Sequence, residues 1–413
     1  MNLSRSRLGM AASLIVVLVH PAAAFSQAPP ASPATSQPAP HAAQPAPAPL
    51  PSAEIAALIE PIIKAHAIPG MVAAIVEGDG GAALEIGCAG VRKAGEAEPI
   101  TLSDRLHLGS CTKSMTATMI ATLVQDGKLS FDTTIGEVFG DLNGKMDPAW
   151  KDVTLRLLLT NRSGAPGDLT KDSLWRTLWM HTGSPTSARM LLVEGVLSKP
   201  PEATPDSKYI YSNAGFSIAG AMAEKVSGES WEDLMMERIF EPLEMRSAGF
   251  GAPGSAKSID QPRGHKIDGT AVELGRNSDN PVAIGPAGIV HCNLIDWSKY
   301  IALHVRGEQG KDTAILKAEM FKPLHTPAKK SKGEQSADYA MGWGVMRRDW
   351  GGNGPVLMHN GSNTMWFAVT WLAPERNFAV LVACNKGGDE ASKACDEAAA
   401  ALIKRHDQRL TWP

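Results

Sequence analysis

The sequence predicts an α/β (α+β) fold in which one mainly antiparallel sheet takes strands from both ends of the folded region. Short apolar segments that alternate with tight turns occupy residues 53–105 and 340–405, whereas helical periodicity and long polar loops dominate residues 106–339. Hairpins supply neighbouring strands without crossovers, which favours antiparallel pairing. The central segment is then an inserted helical domain, and residues 53–405 are expected to form one unit.

The first predicted element is a helix over residues 54–66, where apolar residues recur at helical spacing until the Pro-Gly pair at 69–70. Two apolar segments follow, Met71–Val76 and Ala82–Ile86, with the sequence Asp-Gly-Gly at 79–81 between them. An Asp-Gly dipeptide between two apolar segments favours a tight hairpin turn. The folded region therefore begins with a helix and a predicted β-hairpin.

Two longer helices are predicted in the middle of the chain. One begins near Gly109-Ser110 and runs to Asp126, where Gly127 suits a C-terminal cap. The other spans Ala214–Ser227 and ends before Gly228. The first carries polar residues at its start, where a plain core helix needs none, and the second directly follows the polar sequence Tyr211-Ser212-Asn213.

The last part of the chain returns to strands and closes with a helix. An alanine-rich helical pattern spans Asp389–Ile403. Four apolar segments precede it: Met341–Met346, Val356–Met358, Trp366–Leu372 and Phe378–Ala383.

The first 24 residues have the layout of a secretory signal peptide. Arg5 and Arg7 precede an apolar stretch, Leu8–Val19, and three alanines at 22–24 suit a cleavage site. A permanent anchor is the alternative, but it needs about 20 apolar residues. We therefore expect a protein that acts outside the cytoplasm, in a bacterial periplasm, with no stable membrane span.

Residues 25–52 are expected to form a disordered tail rich in proline and alanine. Nine of the 29 prolines lie between Pro29 and Pro51. Such a segment buries too little apolar surface to offset its ordering entropy. A plain spacer explains it more simply than a binding segment does.

Composition excludes several function classes. The 413 residues are 44% hydrophobic and 20% charged, with a net charge of −3, so no basic footprint indicates nucleic-acid binding. The five cysteines form no C-x-x-C pair and have no histidines at zinc-site spacing, which argues against a metal. Sequence leaves open whether Cys384 and Cys395 meet.

Ser110 and Lys113 form the first candidate catalytic motif. Their S-x-x-K spacing places both side chains on one face of the predicted helix. A serine is a weak nucleophile until a base removes its proton, and a lysine serves as that base only when neutral. Burial among apolar residues favours the neutral amine. Cys111 is an alternative nucleophile, but as Ser110's neighbour it points away from a partner facing Ser110.

Tyr211 and Asn213 form the second candidate motif, directly before the predicted helix at 214–227. The sequence Tyr211-Ser212-Asn213 contains the Y-x-N pattern in a chain with only four tyrosines. Ser212 or Asn213 would also serve as an ordinary N-cap. Capping needs no tyrosine at 211, however, so the motif also favours a role in proton transfer.

The third candidate motif is His359-Asn360-Gly361. H-x-G also occurs at His107 and His181, but only His359 follows a predicted strand of the C-terminal sheet. We therefore choose His359 by its position in the chain, since the tripeptide alone does not distinguish the three histidines. Trp366, soon after it, is a further candidate for lining a substrate pocket.

Together the three ordered motifs resemble the serine β-lactamase and penicillin-binding protein superfamily, in the branch of class C β-lactamases, related D-alanyl-D-alanine carboxypeptidases and esterases. The resemblance covers roughly residues 54–400 and includes the flanking stretches Leu157–Thr160, Ser163-Gly164 and Glu237–Leu243. Class A members carry S-x-x-K, S-D-N and K-T-G, and this chain keeps the first of these motifs and differs at the other two.

The resemblance implies that Ser110 forms an acyl-enzyme while Lys113 and Tyr211 share acid and base work. Asn213 positions substrate and lysine, and the backbone near Gly361, with the amides of Ser110 and Ser362, forms the oxyanion hole. The resemblance implies no cofactor or metal. The expected partner is a small-molecule or peptide substrate with an ester, amide or β-lactam bond.

Two departures from the family pattern bear on the substrate. His359 stands where class C β-lactamases usually have lysine, and a neutral histidine attracts a substrate carboxylate less. Asn161-Arg162 replaces a common His-Thr. The leading prediction is a secreted serine hydrolase. A penicillin-recognising sensor that acylates but hardly turns over is the alternative. An α/β-hydrolase lacks support because no G-x-S-x-G occurs.

Overall fold

The computed structural model describes residues 50–79 and 82–411. Its helices are α1 (Ala53–Ala65), α2 (Thr112–Gln125), α3 (Ile135–Val138), α4 (Leu155–Leu159), α5 (Ser173–Met180), α6 (Pro185–Leu197), α7 (Asn213–Ser227), α8 (Trp231–Met235), α9 (Gly285–Gly288), α10 (Leu294–Glu308), α11 (Phe321–His325) and α12 (Asp389–Thr411). Its strands are β1 (Leu50–Pro51), β2 (Gly70–Glu77), β3 (Ala82–Gly90), β4 (Leu106–His107), β5 (Gly249–Phe250), β6 (Val290–Cys292), β7 (Gly344–Met346), β8 (Val356–Ser362), β9 (Phe367–Ala373) and β10 (Phe378–Cys384).

The main sheet combines strands from both ends of the described chain in the order β1-β3-β2-β10-β9-β8-β7. The junction is the antiparallel pair β2–β10, where Ile75 lies opposite Val380. Apart from the short parallel pair β1–β3, neighbouring strands of this sheet run antiparallel. The predicted fold class is therefore confirmed.

Helices cover both faces of this sheet. Helices α1 and α12 pack on one face, where Ile59 and Leu402 share a buried cluster with Val380. Helix α10 packs on the other face, and Ile301 clusters there with Leu381. Because both faces are covered, β10 is buried at every position, and its sequence is continuously apolar rather than alternating.

Helix α2 lies at the centre of the helical region. All of its residues from Thr112 to Leu123 are buried, and it packs against α7 and α9. Ser110 lies just before it, on a short 3₁₀ turn over Gly109–Cys111, so the α-helix begins two residues later than the sequence predicts. The strand β8 also contacts this turn, which brings the sheet to the front end of the central helix.

The structure corrects several predicted boundaries. Leu50 and Pro51 fall within the predicted tail, yet they pair with β3, and Ser52 caps α1. Strand β7 begins at Gly344 rather than Met341, because Gly342 adopts a φ of +81° and turns the chain. A small sheet in the order β4-β6-β5 lies within the helical region. Its two- and three-residue strands are too short to show a period.

The predicted signal peptide and the tail up to residue 49 lie outside the described residues, as does the centre of the predicted hairpin turn. In the part of the chain that the structure describes, no helix is both long enough and apolar enough to cross a membrane.

Candidate active site

The structure brings Ser110, Lys113 and Asn213 together. The Nζ atom of Lys113 donates to Ser110 Oγ at 3.2 Å, to Asn213 Oδ1 at 2.7 Å and to the carbonyl oxygen of Ala287 at 2.8 Å. Lys113 is fully buried, and none of these three acceptors carries a formal charge. Burial therefore lowers the pKa of Lys113 from 10.5 to about 7.

Tyr211 lies beside this lysine, directly before α7. Lys113 Nζ is 4.7 Å from the centre of the Tyr211 ring. Burial raises the pKa of Tyr211, while a hydrogen bond with Ser110 works in the opposite direction. The phenol is therefore neutral and keeps its proton near pH 7. Ser212 caps α7 by accepting from Gly215 N at 3.1 Å, so the ordinary capping role and the placement of Tyr211 hold together.

Two glycines allow the end of β8 to approach the Ser110 turn. A β-carbon at Gly361 would lie 2.5 Å from the amide nitrogen of Ser110, and one at Gly109 would lie 2.4 Å from the amide nitrogen of Ser362. Gly109 also has a φ of +51°, which side chains disfavour. The backbones of Ser110 and Ser362 are therefore adjacent, as two donors of an oxyanion hole need to be.

His359 lies close to the site, but both of its ring nitrogens are occupied. Nδ1 is 2.5 Å from the carbonyl oxygen of Asn360, so it carries the proton, and Nε2 accepts from the Tyr339 hydroxyl at 3.0 Å. Burial, together with the charge of Lys113, lowers the pKa of His359 to about 3. The imidazole is neutral and buried. It offers no positive charge to a substrate carboxylate.

Two of the sequence alternatives find no support in the geometry. The Cys111 thiol is buried against the carbonyl oxygen of His359 at 3.7 Å, and burial raises its pKa far above the usual range. Such a thiol is a poor nucleophile. Trp366 is 1% exposed and packs beside Gly264 in the core, so it presents no surface to a ligand.

Among residues 50–79 and 82–411, no cluster of three histidine, cysteine or acidic side chains is placed to hold a metal ion.

The sequence matches the Beta-lactamase family over residues 55–404. The chain belongs to the beta-lactamase family. It is 25% identical to penicillin-binding protein 4 of Amycolatopsis lactamdurans over 334 residues, which are 78% of this chain and 82% of that protein. Lovastatin esterase of Penicillium rubens is 30% identical over 171 residues, 38% of this chain and 42% of the esterase. An octameric penicillin-binding protein homologue from Pyrococcus abyssi has the same fold, with a TM-score of 0.68, 25% identity, and coverage of 85% of this chain and 77% of that chain.

Membership of this family identifies the chain as a relative of serine hydrolases with the β-lactamase fold. The structure also shows what Asn161 and Arg162, which depart from the family pattern, contact. Asn161 holds the segment that carries Tyr211: its carbonyl oxygen accepts from Ile210 N at 2.8 Å, and its Oδ1 accepts from Ser212 N at 3.0 Å. These bonds lie on both sides of Tyr211. Matching of sequence motifs does not find these two hydrogen bonds. The replacement of the common His-Thr by Asn161-Arg162 was the sequence signal that could have pointed to them.

Arg162 extends the same support to a second loop. Its guanidinium donates to Asp206 Oδ1 at 2.8 Å and to Glu334 Oε2 at 3.0 Å. Glu334 also accepts from Tyr209 N at 2.9 Å, and the loop it belongs to leads to Tyr339, the partner of His359. Hydrogen bonds from Ser336 and the Ser331 amide, with smaller contributions from Arg162 and Tyr209, lower the pKa of Glu334 to about 2.

Proposed function

We propose that the protein hydrolyses an ester or amide through an acyl-enzyme on Ser110. The proposal rests on the contact between Lys113 Nζ and Ser110 Oγ at 3.2 Å, made by an amine whose pKa of about 7 leaves a substantial fraction of it neutral at pH 7. A neutral amine at this distance can take the hydroxyl proton as the serine attacks.

The proposed acylation uses the residues in a definite order. Ser110 Oγ transfers its proton to Lys113 Nζ and forms a bond to the substrate carbonyl carbon. The carbonyl oxygen becomes negative and accepts hydrogen bonds from the amides of Ser110 and Ser362. The C–O or C–N bond then breaks, and Tyr211 supplies a proton to the leaving group and regains one from Lys113. Water attacks the acyl-enzyme by the same route in reverse.

The neutral charge of His359 supports a substrate whose acyl group is uncharged. A lysine at this position would offer a cation to a carboxylate, whereas His359 is neutral and engaged at both nitrogens. Esters of uncharged acids therefore fit better than β-lactams, which carry a carboxylate. The similarity to a lovastatin esterase supports the same direction. The predicted signal peptide supports action in the periplasm.

A substrate panel tests this function. The purified protein is assayed with short-chain p-nitrophenyl esters, a chromogenic cephalosporin and a D-alanyl-D-alanine peptide. We expect steady turnover of the esters and a loss of at least about 10³-fold in Ser110→Ala. Ser114→Ala, which removes a hydroxyl from the same helix, is the matched control and should stay active.

Two outcomes would contradict the proposal. Activity that persists in Ser110→Ala would exclude the acyl-enzyme. One stoichiometric burst of p-nitrophenol without steady turnover would indicate a sensor that is acylated once rather than a hydrolase.

A further inference from the structure

We propose that His107, Asp279 and Asn363 form a bridge that sets the separation of the two oxyanion-hole amides. The inference rests on the proposed function, because those amides matter only if Ser110 is acylated. It gives a role to the His-Leu-Gly sequence at 107–109, which the catalytic assignment left unused.

One end of the bridge holds the residue before Ser110. The Gly109 amide donates to His107 Nδ1 at 3.1 Å, so the imidazole proton lies on Nε2. That Nε2 donates to Asp279 Oδ2 at 2.9 Å. Because the His107 side chain is fully buried, water does not compete for these bonds.

The other end of the bridge holds the residue after Ser362. Asn363 is 4% exposed, and its Nδ2 donates to Asp279 Oδ1 at 3.0 Å. The Asn280 amide donates to the same oxygen at 2.7 Å. One carboxylate, 11% exposed, therefore uses one oxygen for the Ser110 turn and the other for the end of β8.

The bridge joins the segments where their spacing has the largest consequence. Gly109 and Ser362 are already in close backbone approach. An oxyanion hole works only when both donors lie about 2.7–3.1 Å from the developing oxyanion. A carboxylate that ties both segments together therefore acts on the transition state more than on substrate binding. His107, Asp279 and Asn363 are positioning residues, since they act through the two amides.

The experiment compares Asp279→Asn with the matched variant Glu308→Gln. Glu308 accepts from His325 at 2.6 Å, so this change also replaces a carboxylate on a histidine by an amide, on a pair outside the bridge. An asparagine at 279 presents one acceptor oxygen instead of two and can serve only one side of the bridge. The readouts are kcat, KM and Tm, measured with p-nitrophenyl acetate.

We expect Asp279→Asn to lower kcat about 10–100-fold with KM within about threefold, since a lost oxyanion donor costs about 10²–10³ and a displaced one costs less. Glu308→Gln should keep kcat. Unchanged kcat in Asp279→Asn, or a change in KM alone, would overturn the bridge. If Asp279→Asn does not fold, Asn363→Ala serves as the second variant, with the same expectation and the same contradiction. Active Ser110→Ala would instead refute the proposed function.

A separate observation leads us to infer that Cys384 and Cys395 form a disulfide as the protein folds. Their sulfur atoms are 3.6 Å apart, at the end of β10 and in the second turn of α12. A disulfide bond is about 2.05 Å long, so the two sulfur atoms need to approach each other by about 1.5 Å. The bond would tie α12 to the sheet.

The bond must form before α12 packs. Both thiols are fully buried in the folded protein, and burial raises the pKa of Cys395 well above its usual value. On the unfolded chain, glutathione disulfide or a protein disulfide accepts two electrons and two protons from the thiols and leaves as two thiols. Once formed, the bond is shielded from reductants. This chemistry fits the predicted export, because the periplasm is oxidising.

Refolding tests the disulfide. The mature protein is refolded with glutathione disulfide or with excess reduced glutathione, and intact mass and Tm are measured, with Cys88→Ala as the control. We expect oxidised samples to lose the mass of two hydrogen atoms, to yield a linked 384–395 peptide and to melt about 3–6 °C higher. Cys395→Ala should abolish all three effects. Free thiols at both positions after oxidative refolding would overturn the inference.

Discussion

The fold gives two buried cations different kinds of partner. Lys113 and Arg189 are both 0% exposed. Arg189 pairs with two carboxylates: Nε donates to Glu224 at 3.0 Å, and Nη1 donates to Glu232 at 3.0 Å. Lys113 instead donates to a hydroxyl, an amide oxygen and a peptide carbonyl.

The partners decide the charge of each group. Burial alone lowers the pKa of a cation, because the charged form loses its hydration. For Arg189 the hydrogen bonds to Glu224 and Glu232 outweigh burial, and its pKa is raised. For Lys113 burial prevails, and its pKa falls to about 7. The fold therefore keeps a permanent charge where Arg189 holds α6, α7 and α8 together, and it lets Lys113 lose its charge near pH 7, as the proposed base must.

The largest expected effect comes from making the positive charge at position 113 permanent. Lys113→Arg retains the positive charge but cannot release its proton. Loss of the general base should lower kcat about 10²–10⁴-fold. Steady-state kinetics with p-nitrophenyl acetate measures kcat. A variant that keeps more than a tenth of the wild-type kcat would exclude Lys113 as the general base.

A smaller effect is expected from giving Lys113 the kind of partner that Arg189 has. Asn213→Asp places a carboxylate oxygen where an amide oxygen now lies 2.7 Å from Nζ. The opposite charge should raise the pKa of Lys113 by about 1–3 units and lower kcat/KM at pH 7 about 10–100-fold. Activity should recover as the pH rises toward 9. A variant whose pH profile matches the wild type would show that this hydrogen-bond partner does not set the charge of Lys113.

On the structural side, Glu224→Gln should affect stability and leave chemistry intact. The change leaves Arg189 buried with one carboxylate instead of two. Breaking a buried pair costs about 3–5 kcal/mol, and the remaining Glu232 places the expected loss near the lower end. Urea unfolding measures it. Specific activity per folded molecule should match the wild type, and a fall in kcat with unchanged stability would reverse the two roles.

The smallest expected effect concerns Glu334 at low pH. Its folded pKa of about 2 lies below the usual 4.5, so the stability it contributes is present above about 4.5 and is lost as the pH falls toward 2. Between pH 5 and pH 3 the wild type should lose about 2–4 °C more in Tm than Glu334→Gln. Parallel curves for the two proteins would exclude this carboxylate as an acid-sensitive tether.

The sequence predicts the site where local geometry determines it. Ser110 and Lys113 are neighbours because three residues span almost one turn, and Tyr211 and Asn213 stand at the start of a helix with a recognisable cap. Asn161, Asp279 and Tyr339 belong to loops far from these motifs in sequence. Their contacts depend on how the loops pack, which no local pattern specifies.

The same limit applies to the fold. The sheet was predictable because apolar segments and turns are local signals. Helix α12 was predicted to end at Ile403 but continues to Thr411, since Arg405 pairs with Glu85 at 2.8 Å, and Arg409 pairs with the same carboxylate. The helix was predicted from the spacing of its apolar residues, whereas its last turns are held by ion pairs to a strand more than 300 residues away in sequence.

We propose that Lys113 acts as a neutral base, a claim that the pH dependence of kcat/KM tests. This ratio reports groups of the free enzyme, and p-nitrophenyl acetate adds no titration of its own in this range. With the pKa of Lys113 at about 7, kcat/KM should rise about tenfold per pH unit below pH 7 and level off above it. A profile flat from pH 5 to pH 9, or one still rising at pH 10, would contradict the claim.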